Sequence, residues 1–399
     1  MKWLAIIGIG EDGLAGLSPA ARDAVTRADV LVGGERHLAM IPEGSAERLR
    51  WATPLLDTLP AILARRGKRV AVLASGDPMW FGIGATLAQH VPAEETTVLP
   101  HVGAFSLAAA RLGWPLAEVG AISLHGRPLD VLALHLTPAA RLLVLSEDRH
   151  TPAKVAAYLT ARGWGASRMI ALDHLDGANE RSREGTAGDW THAPGADLNV
   201  LGLVCRPGAR TKVLPRVPGL PDDAFVHDGQ ITKREVRASS LAALAPLPGQ
   251  LLWDVGAGCG SISIEWMRAA DRAQAIAIER HDARRDFIAR NAAALGVPGV
   301  RIVAGEAPAA LAGLPPPDAI FIGGGLSDPH VLDACVDALK PAGRLVANAV
   351  TLDGEAALTA AQARHGGQLV RLSIARAEPV GRFQSWHALM PVTQWSWTR

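Results

Sequence analysis

The feature that most constrains the fold is an alternation that runs the length of the chain. Short apolar runs are separated by alanine-rich stretches of helical character. The runs Leu4–Ile9, Asp29–Val32, Arg69–Leu73, Thr97–Leu99, Arg141–Leu145, Arg168–Leu172 and Asn199–Val204 predict strands in the first half. In the second half the predicted strands are Leu251–Val255, Ala275–Ile278, Val300–Val303, Ala319–Ile322, Arg344–Asn348, Leu369–Ala375 and Trp386–Met390. Strands that alternate with helices imply α/β architecture, with mostly parallel sheets covered on both faces. Ser18-Pro19 predicts a helix start, with the serine as N-cap and the proline at N1. The seven later runs suit one doubly wound sheet, and its last two strands predict an antiparallel hairpin at the sheet edge.

The alternation is interrupted once. Residues 205–221, "CRPGARTKVLPRVPGLP", carry Pro207, Pro215, Pro218 and Pro221 with no apolar period. This predicts a division into residues 1–205, a linker at 206–220, and residues 221–399. With 399 residues each part is long enough for its own core. The formal net charge of +1 gives no overall field toward nucleic acid or an acidic membrane. The basic run "ARRGKRV", residues 64–70, is expected to decorate a helix end. Cys205, Cys259 and Cys335 form no C-x-x-C pair, so neither a disulfide framework nor a zinc site is expected. A reducing cytoplasm suits them. "MKWLAIIGIG" reads as a first buried strand rather than a signal peptide, because its apolar run is short and broken by glycine.

Two glycine turns carry the chemistry. "DVGAGCGSISIE", residues 254–265, places Gly256, Gly258 and Gly260 after an apolar run and before a helix. The spacing is G-x-G-x-G, not the G-x-G-x-x-G of a pyrophosphate-binding turn, so a ligand without phosphates is favoured over a nicotinamide dinucleotide. "AIAIERH" then supplies Glu279 at the end of the next strand, where a carboxylate can accept from two ribose hydroxyls. "VAGEAP" (303–308, with Ala307) and "AIFIGGG" (319–325) end the following strands at the same edge. This constellation resembles the class I S-adenosylmethionine-dependent methyltransferases, over about residues 225–395. The resemblance implies a Rossmann-like domain with a seven-stranded sheet. Its cofactor would be held by Gly256, Ala257, Gly258, Cys259, Gly260, Glu279 and Ala307. Thr232 matches a cofactor-contacting threonine of the resembled domain, and it also fits an N-cap position with Glu235 completing a capping box.

The other turn, "IIGIGEDG" (6–13), matches G-x-G-x-x-G literally, but its helix starts only near Ser18 and Asp29 begins a strand instead of ending one. Three further stretches give it a context. They are "LASGDPMWFGIG" (73–84), "LPHVGAFSLAAARLGWP" (99–115) and "LSEDRHTPAKVAAYL" (145–159), the last with a helix cap at Thr151-Pro152. Together they resemble the tetrapyrrole (corrin and porphyrin) methylase family, over about residues 3–205. That family has a distinct fold of two α/β subdomains. The resemblance places cofactor contacts at Gly8, Gly10, Ser75, Gly76, Asp77 and Gly103. Glu11-Asp12-Gly13 departs from the usual family loop, and "GIGEDGLAGL" is similar to the branch acting on precorrin-6Y.

The pairing of the two resemblances implies two S-adenosylmethionine sites per chain and one tetrapyrrole substrate. It implies methylation at carbons 5 and 15 and loss of carbon dioxide from the ring C acetate, with precorrin-8 as product in cobalamin biosynthesis. The N-terminal domain would act at carbon 5. No nucleophile motif is present and none is needed, because positioning and water exclusion can drive a transfer from sulfonium to an electron-rich meso carbon. His281, His330 and Asp228 are the candidate catalytic residues for the proton that follows decarboxylation. Lys233, Arg234, Arg237 and Arg382 are candidates to face substrate carboxylates. No metal site, nucleic acid or membrane is expected, and a homodimer or homotetramer is. The rival readings are a tandem methyltransferase on another acceptor such as RNA or a different tetrapyrrole, a nicotinamide oxidoreductase, and a non-catalytic tetrapyrrole carrier.

Overall fold

A computed structural model describes residues 2–399. The chain divides into two compact units. One takes the chain up to Leu129 and again Thr137–Lys212; the other takes Asp130–Leu136 and Val213–Arg399. The division at Lys212 falls inside the proline-rich stretch.

The first unit holds two sheets. The strands are β1 (Leu4–Ile9), β2 (Val30–Gly33), β3 (Glu47–Arg50), β4 (Val70–Ser75), β5 (Thr96–Leu99), β6 (Gly120–Ser123), β7 (Arg141–Leu145), β8 (Arg168–Asp173), β9 (Arg181–Thr186) and β10 (Asn199–Val204). The first sheet is parallel throughout, in the order β3-β2-β4-β1-β5. Ile7, Leu31 and Leu73 face one of its cores, and Ile6, Val30 and Val72 face the other. Burial on both faces explains the unbroken apolar runs of β1, β2 and β4. The second sheet, β6-β7-β10-β8-β9, has only its β6–β7 pair parallel. The expectation of mostly parallel sheets therefore holds for the first sheet and not for the second. β3, β6 and β9 were not legible as strands. "ERLR" and "RSREGT" are charged edge strands, which need pairing on one side only and bury little.

The second unit is built on a seven-stranded sheet. Its strands are β11 (Leu251–Val255), β12 (Gln274–Glu279), β13 (Arg301–Ala304), β14 (Ala319–Ile322), β15 (Arg344–Ala349), β16 (Gln368–Leu372) and β19 (Val392–Thr398), in the order β13-β12-β11-β14-β15-β19-β16. The first five are parallel; β19 runs antiparallel to both its neighbours. The expected edge hairpin is corrected in its membership. Val392–Thr398 inserts between β15 and β16, while β17 (Ala375–Val380) and β18 (Phe383–Ala388) leave the sheet as a separate two-stranded ribbon. Trp395 is fully buried and gives β19 its place inside the sheet.

Helix starts followed local chemistry in part. Ser18 caps Pro19–Thr26 and accepts from the Ala21 N–H at 3.2 Å. The helix Thr151–Ala161 has His150 as N-cap, so Thr151 and Pro152 sit one position later than expected. The helix Arg234–Leu244 has Lys233 as N-cap and no side-chain cap, so Thr232 and Glu235 form no capping box. Glu235 pairs with Arg376 instead, at 2.6 Å.

Candidate functional site

In the second unit the strand ends β11, β12 and β14 meet at one edge, where α/β sheets bind ligands. Gly256, Gly258 and Gly260 all have positive φ, at 71°, 60° and 79°. Their duties differ. A Cβ on Gly256 would lie 3.0 Å from the Gly324 backbone, and one on Gly260 would lie 3.0 Å from Ile288. These two glycines let the turn pack. A Cβ on Gly258 would meet only the Gln230 carbonyl, at 3.8 Å. Gly258 is therefore the glycine that leaves open space for a ligand.

Glu279 closes the cradle. It is 4% exposed, and its two carboxylate oxygens accept from Gly258 N–H at 2.8 Å and His281 N–H at 3.0 Å. Each oxygen keeps a lone pair for a hydroxyl donor. The residues present thus fit the adenosine half of S-adenosylmethionine. Cys259 offers only its backbone, because its side chain is buried and burial pushes its thiol up to about 11. Ala307 packs into the sheet core.

Sequence reasoning missed the residues that hold this turn. Asp254, inside the quoted stretch, accepts from Ser263 N–H at 3.0 Å and from its hydroxyl at 2.6 Å, which ties β11 to the helix Ser261–Ala269. Asn291 exchanges hydrogen bonds with Val226 and donates to the Cys259 carbonyl at 3.0 Å. Glu265, at the end of the same stretch, is 1% exposed and accepts from Arg237 at 2.6 Å and from the N–H groups of Gly219 and Leu220. Arg237 also donates to the carbonyls of Leu220 and Thr232 and pairs with Asp222 at 3.2 Å. The segment before the helix is wrapped on this buried pair. Arg237 has no exposed side-chain surface, so it is corrected from substrate contact to structural anchor.

Asp254 has a pH signature. Burial, opposed by the Ser263 bonds and reinforced by Glu279, raises its carboxyl from the ordinary 3.8 to about 6. Between those values the folded unit holds a proton that the unfolded chain has released. Stability contributed below the lower value is lost as pH rises through the upper one, by about 3 kcal/mol. Asp254→Asn should flatten this loss. Calorimetric melting of the wild type and the variant from about pH 4 to about pH 7 checks it, and parallel curves would count against the assignment.

The candidate proton donors are not buried. His281 is exposed, caps the helix Asp282–Ala294, and has its ring nitrogen 3.1 Å from Arg280. His330 is exposed behind Asp328, whose side chain caps the helix Pro329–Ala338. Asp228 accepts from Gln230 N–H and pairs with Arg284 at 2.9 Å, and these bonds hold its carboxyl below the usual range. Thr232 is half-buried beside Lys233, Arg234 is exposed, and Arg382 lies over the Phe383 ring next to the ribbon turn at Gly381.

In the first unit the loops after β1, β4 and β5 pack backbone to backbone. A Cβ on Gly8 would sit 1.9 Å from the Gly76 carbonyl, and one on Gly76 would sit 2.9 Å from Gly103 Cα. Gly76 N–H donates to the Ile9 carbonyl, and His101 N–H donates to the Gly76 carbonyl, both at 3.1 Å. Asp77 accepts from Met79 N–H at 2.9 Å and so forms the turn. Gly10 lies against Asp12 and His101, which approach each other at 3.4 Å. Ser75 Oγ is held by Arg36 at 2.9 Å and His37 at 3.0 Å. Burial, helped by Arg36, pushes His37 down to about 4. Glu11 pairs with Arg36 and with His174 at 3.0 Å, which links the first loop to the loop after β8. Gly8, Gly10, Ser75, Gly76, Asp77 and Gly103 are thus brought to one edge.

The pattern "tetrapyrrole (corrin/porphyrin) methylases" matches residues 4–190, and "precorrin methyltransferase domain" matches residues 223–399. A precorrin-6Y C(5,15)-methyltransferase [decarboxylating] from Sinorhizobium sp is 50% identical over 398 residues, covering 100% of this chain and 96% of that protein. The chain belongs to this family. A second member, from Mycobacterium tuberculosis, is 44% identical over 398 residues, 99% of this chain and 100% of the relative. A cobalt-precorrin-7 C(5)-methyltransferase from Salmonella typhimurium is 35% identical over 180 residues, 45% of this chain and 88% of that protein. Family membership makes the chain a decarboxylating C-methyltransferase with S-adenosylmethionine as methyl donor. Among the described residues no helix is long and apolar enough to cross a membrane.

Proposed function

We propose that this protein methylates precorrin-6Y at carbons 5 and 15 and removes carbon dioxide from the ring C acetate, giving precorrin-8. The observation that carries the reading is that one chain holds two separate glycine-lined strand edges, one in each unit. We assign carbon 5 to the first unit and carbon 15 with decarboxylation to the second. A relative with C(5) activity alone, matching under half the chain, supports a split of labour.

Bound S-adenosylmethionine supplies an electrophilic methyl group. The chain's own part is to orient and to exclude water. Glu279 fixes Gly258, and Asp254 and Asn291 fix the turn around it. At carbon 15 the new carbon–carbon bond leaves the macrocycle electron-poor. It can then take the electron pair of the breaking acetate carbon–carboxyl bond, and a proton completes the product. We assign that proton to His281 or His330, since Asp228 is engaged with Arg284 and the Gln230 N–H. We assign Thr232 and Ala307 to the second cofactor site, and Gly8, Gly10, Ser75, Gly76, Asp77 and Gly103 to the first. A cytoplasmic setting suits three buried free cysteines.

The ribbon β17–β18 is exposed almost throughout, with Val380, Phe383 and Trp386 uncovered. A second copy of the chain is the occupant that a self-pairing ribbon edge would take, which supports a homo-oligomer.

Calorimetric titration with S-adenosylhomocysteine should give two sites per chain. One site in an intact chain would contradict the tandem reading. Light scattering on the same sample should give a mass well above 41.8 kDa; a monomer would remove the oligomer.

A further inference from the structure

Residues 79–81 of the first unit, Met-Trp-Phe, are large, apolar and turned outward. Met79 is 47% exposed, Trp80 58% and Phe81 44%. The chain forces them out. A Cβ on Gly82 would lie 2.6 Å from the Pro78 carbonyl, and one on Gly84 would lie 2.7 Å from it, so the segment pinches shut behind the three side chains. Asp77 bonds the Met79 N–H, and Ala85 N–H bonds the Pro78 carbonyl at 3.3 Å. Phe81 is held at φ 55°, a conformation that disfavours a bulky side chain. Strain and exposed apolar surface in one rigid loop mark a functional surface.

The rings are organised. Trp80, Phe81 and Phe105 meet edge to face, with centroids 6.3, 6.4 and 6.0 Å apart. Phe105 is buried and anchors the group. The Arg127 guanidinium lies over Phe81, 5.0 Å from its centroid. The cluster is flanked on both sides by the cofactor-edge loops, since Trp80 follows Ser75-Gly76-Asp77 and Phe105 follows Gly103.

We propose that the exposed Trp80 and Phe81, propped from behind by the buried Phe105, form an apolar platform against which the tetrapyrrole lies during methyl transfer in the first unit, with Arg127 facing one of its carboxylates. This rests on the reading of that unit as a tetrapyrrole methylase. A conjugated, carboxylate-fringed macrocycle offers a flat apolar face for the exposed Trp80 ring and an anion for the Arg127 guanidinium that lies over Phe81. Stacking needs no bond-making group, so these are positioning and specificity residues.

Trp80→Ala and Trp80→Phe test it in the full-length protein. Trp80→Ala should raise KM for precorrin-6Y in carbon 5 methylation about tenfold with little change in kcat. Trp80→Phe should restore most of it. Carbon 15 methylation and S-adenosylhomocysteine titration should be unaffected in both. Unchanged KM, or an equal fall at carbon 15, overturns the platform. Uroporphyrin III binding, followed by tryptophan quenching, is read alongside and needs no turnover. If the wild type shows no carbon 5 methylation, the function assigned to this unit fails. The platform would still stand if Trp80→Ala weakens uroporphyrin binding and Trp80→Phe keeps it, and equal affinity in wild type and Trp80→Ala would overturn it.

Discussion

Glu279→Ala should abolish methylation at carbon 15 and the release of carbon dioxide while methylation at carbon 5 continues. The carboxylate does two things at once. It accepts from Gly258 N–H and His281 N–H, which sets the shape of the turn, and it keeps lone pairs for ribose hydroxyls. Hydrogen bonds to a charged partner are worth about 1.5–3 kcal/mol each. Loss of two on the ligand side alone weakens cofactor binding by about a hundredfold or more, and the released turn adds to that. Gly258→Val should act the same way, by filling the open space beside Gly258 and straining a residue at φ 60°. Product mass distinguishes the outcomes: a singly methylated species that keeps its acetate carboxyl is expected. If Glu279→Ala stops carbon 5 methylation and spares carbon 15, the two reactions have been assigned to the wrong units.

Arg237→Ala should destabilise the second unit more than any other single change at a charged residue discussed above. It leaves Glu265 buried and charged without its cation, and it orphans the carbonyls of Leu220 and Thr232. Breaking a buried pair by removing one partner costs about 3–5 kcal/mol. In a unit of this size that lowers the melting temperature by roughly 10 °C. Replacing both partners by methionine should not recover the loss, because Gly219 and Leu220 N–H would then lack their acceptor. Scanning calorimetry reads both variants. A melting temperature within about a degree of wild type for Arg237→Ala would mean that the segment 219–232 is not held by this pair.

The buried parallel strands were legible because burial on both faces leaves an unbroken apolar run, as in β1, β2 and β14. Edge strands were not, because β3 and β9 are selected by pairing and charge rather than burial. β19 was missed because its buried Gln394 and Thr393 break the apolar run and make sense only through Asn348, Ser240 and Glu355. The glycine turn and Glu279 could be read from spacing, since a strand end followed by a turn fixes where side chains point. The network behind them could not. Asp254, Asn291 and Arg237 look like ordinary polar residues in sequence, and their partners lie 9, 65 and 28 residues away. Arg237 shows the limit most clearly, because charge alone suggested a substrate contact and only burial shows an anchor.

The most direct measurement is the mass of the product formed when the purified chain is incubated with precorrin-6Y and methyl-labelled S-adenosylmethionine. The account predicts two labelled methyl groups gained and one carbon dioxide lost per substrate molecule. In Glu279→Ala it predicts one label with the acetate carboxyl retained. A wild-type product carrying one label, or two labels with every carboxyl retained, would contradict it.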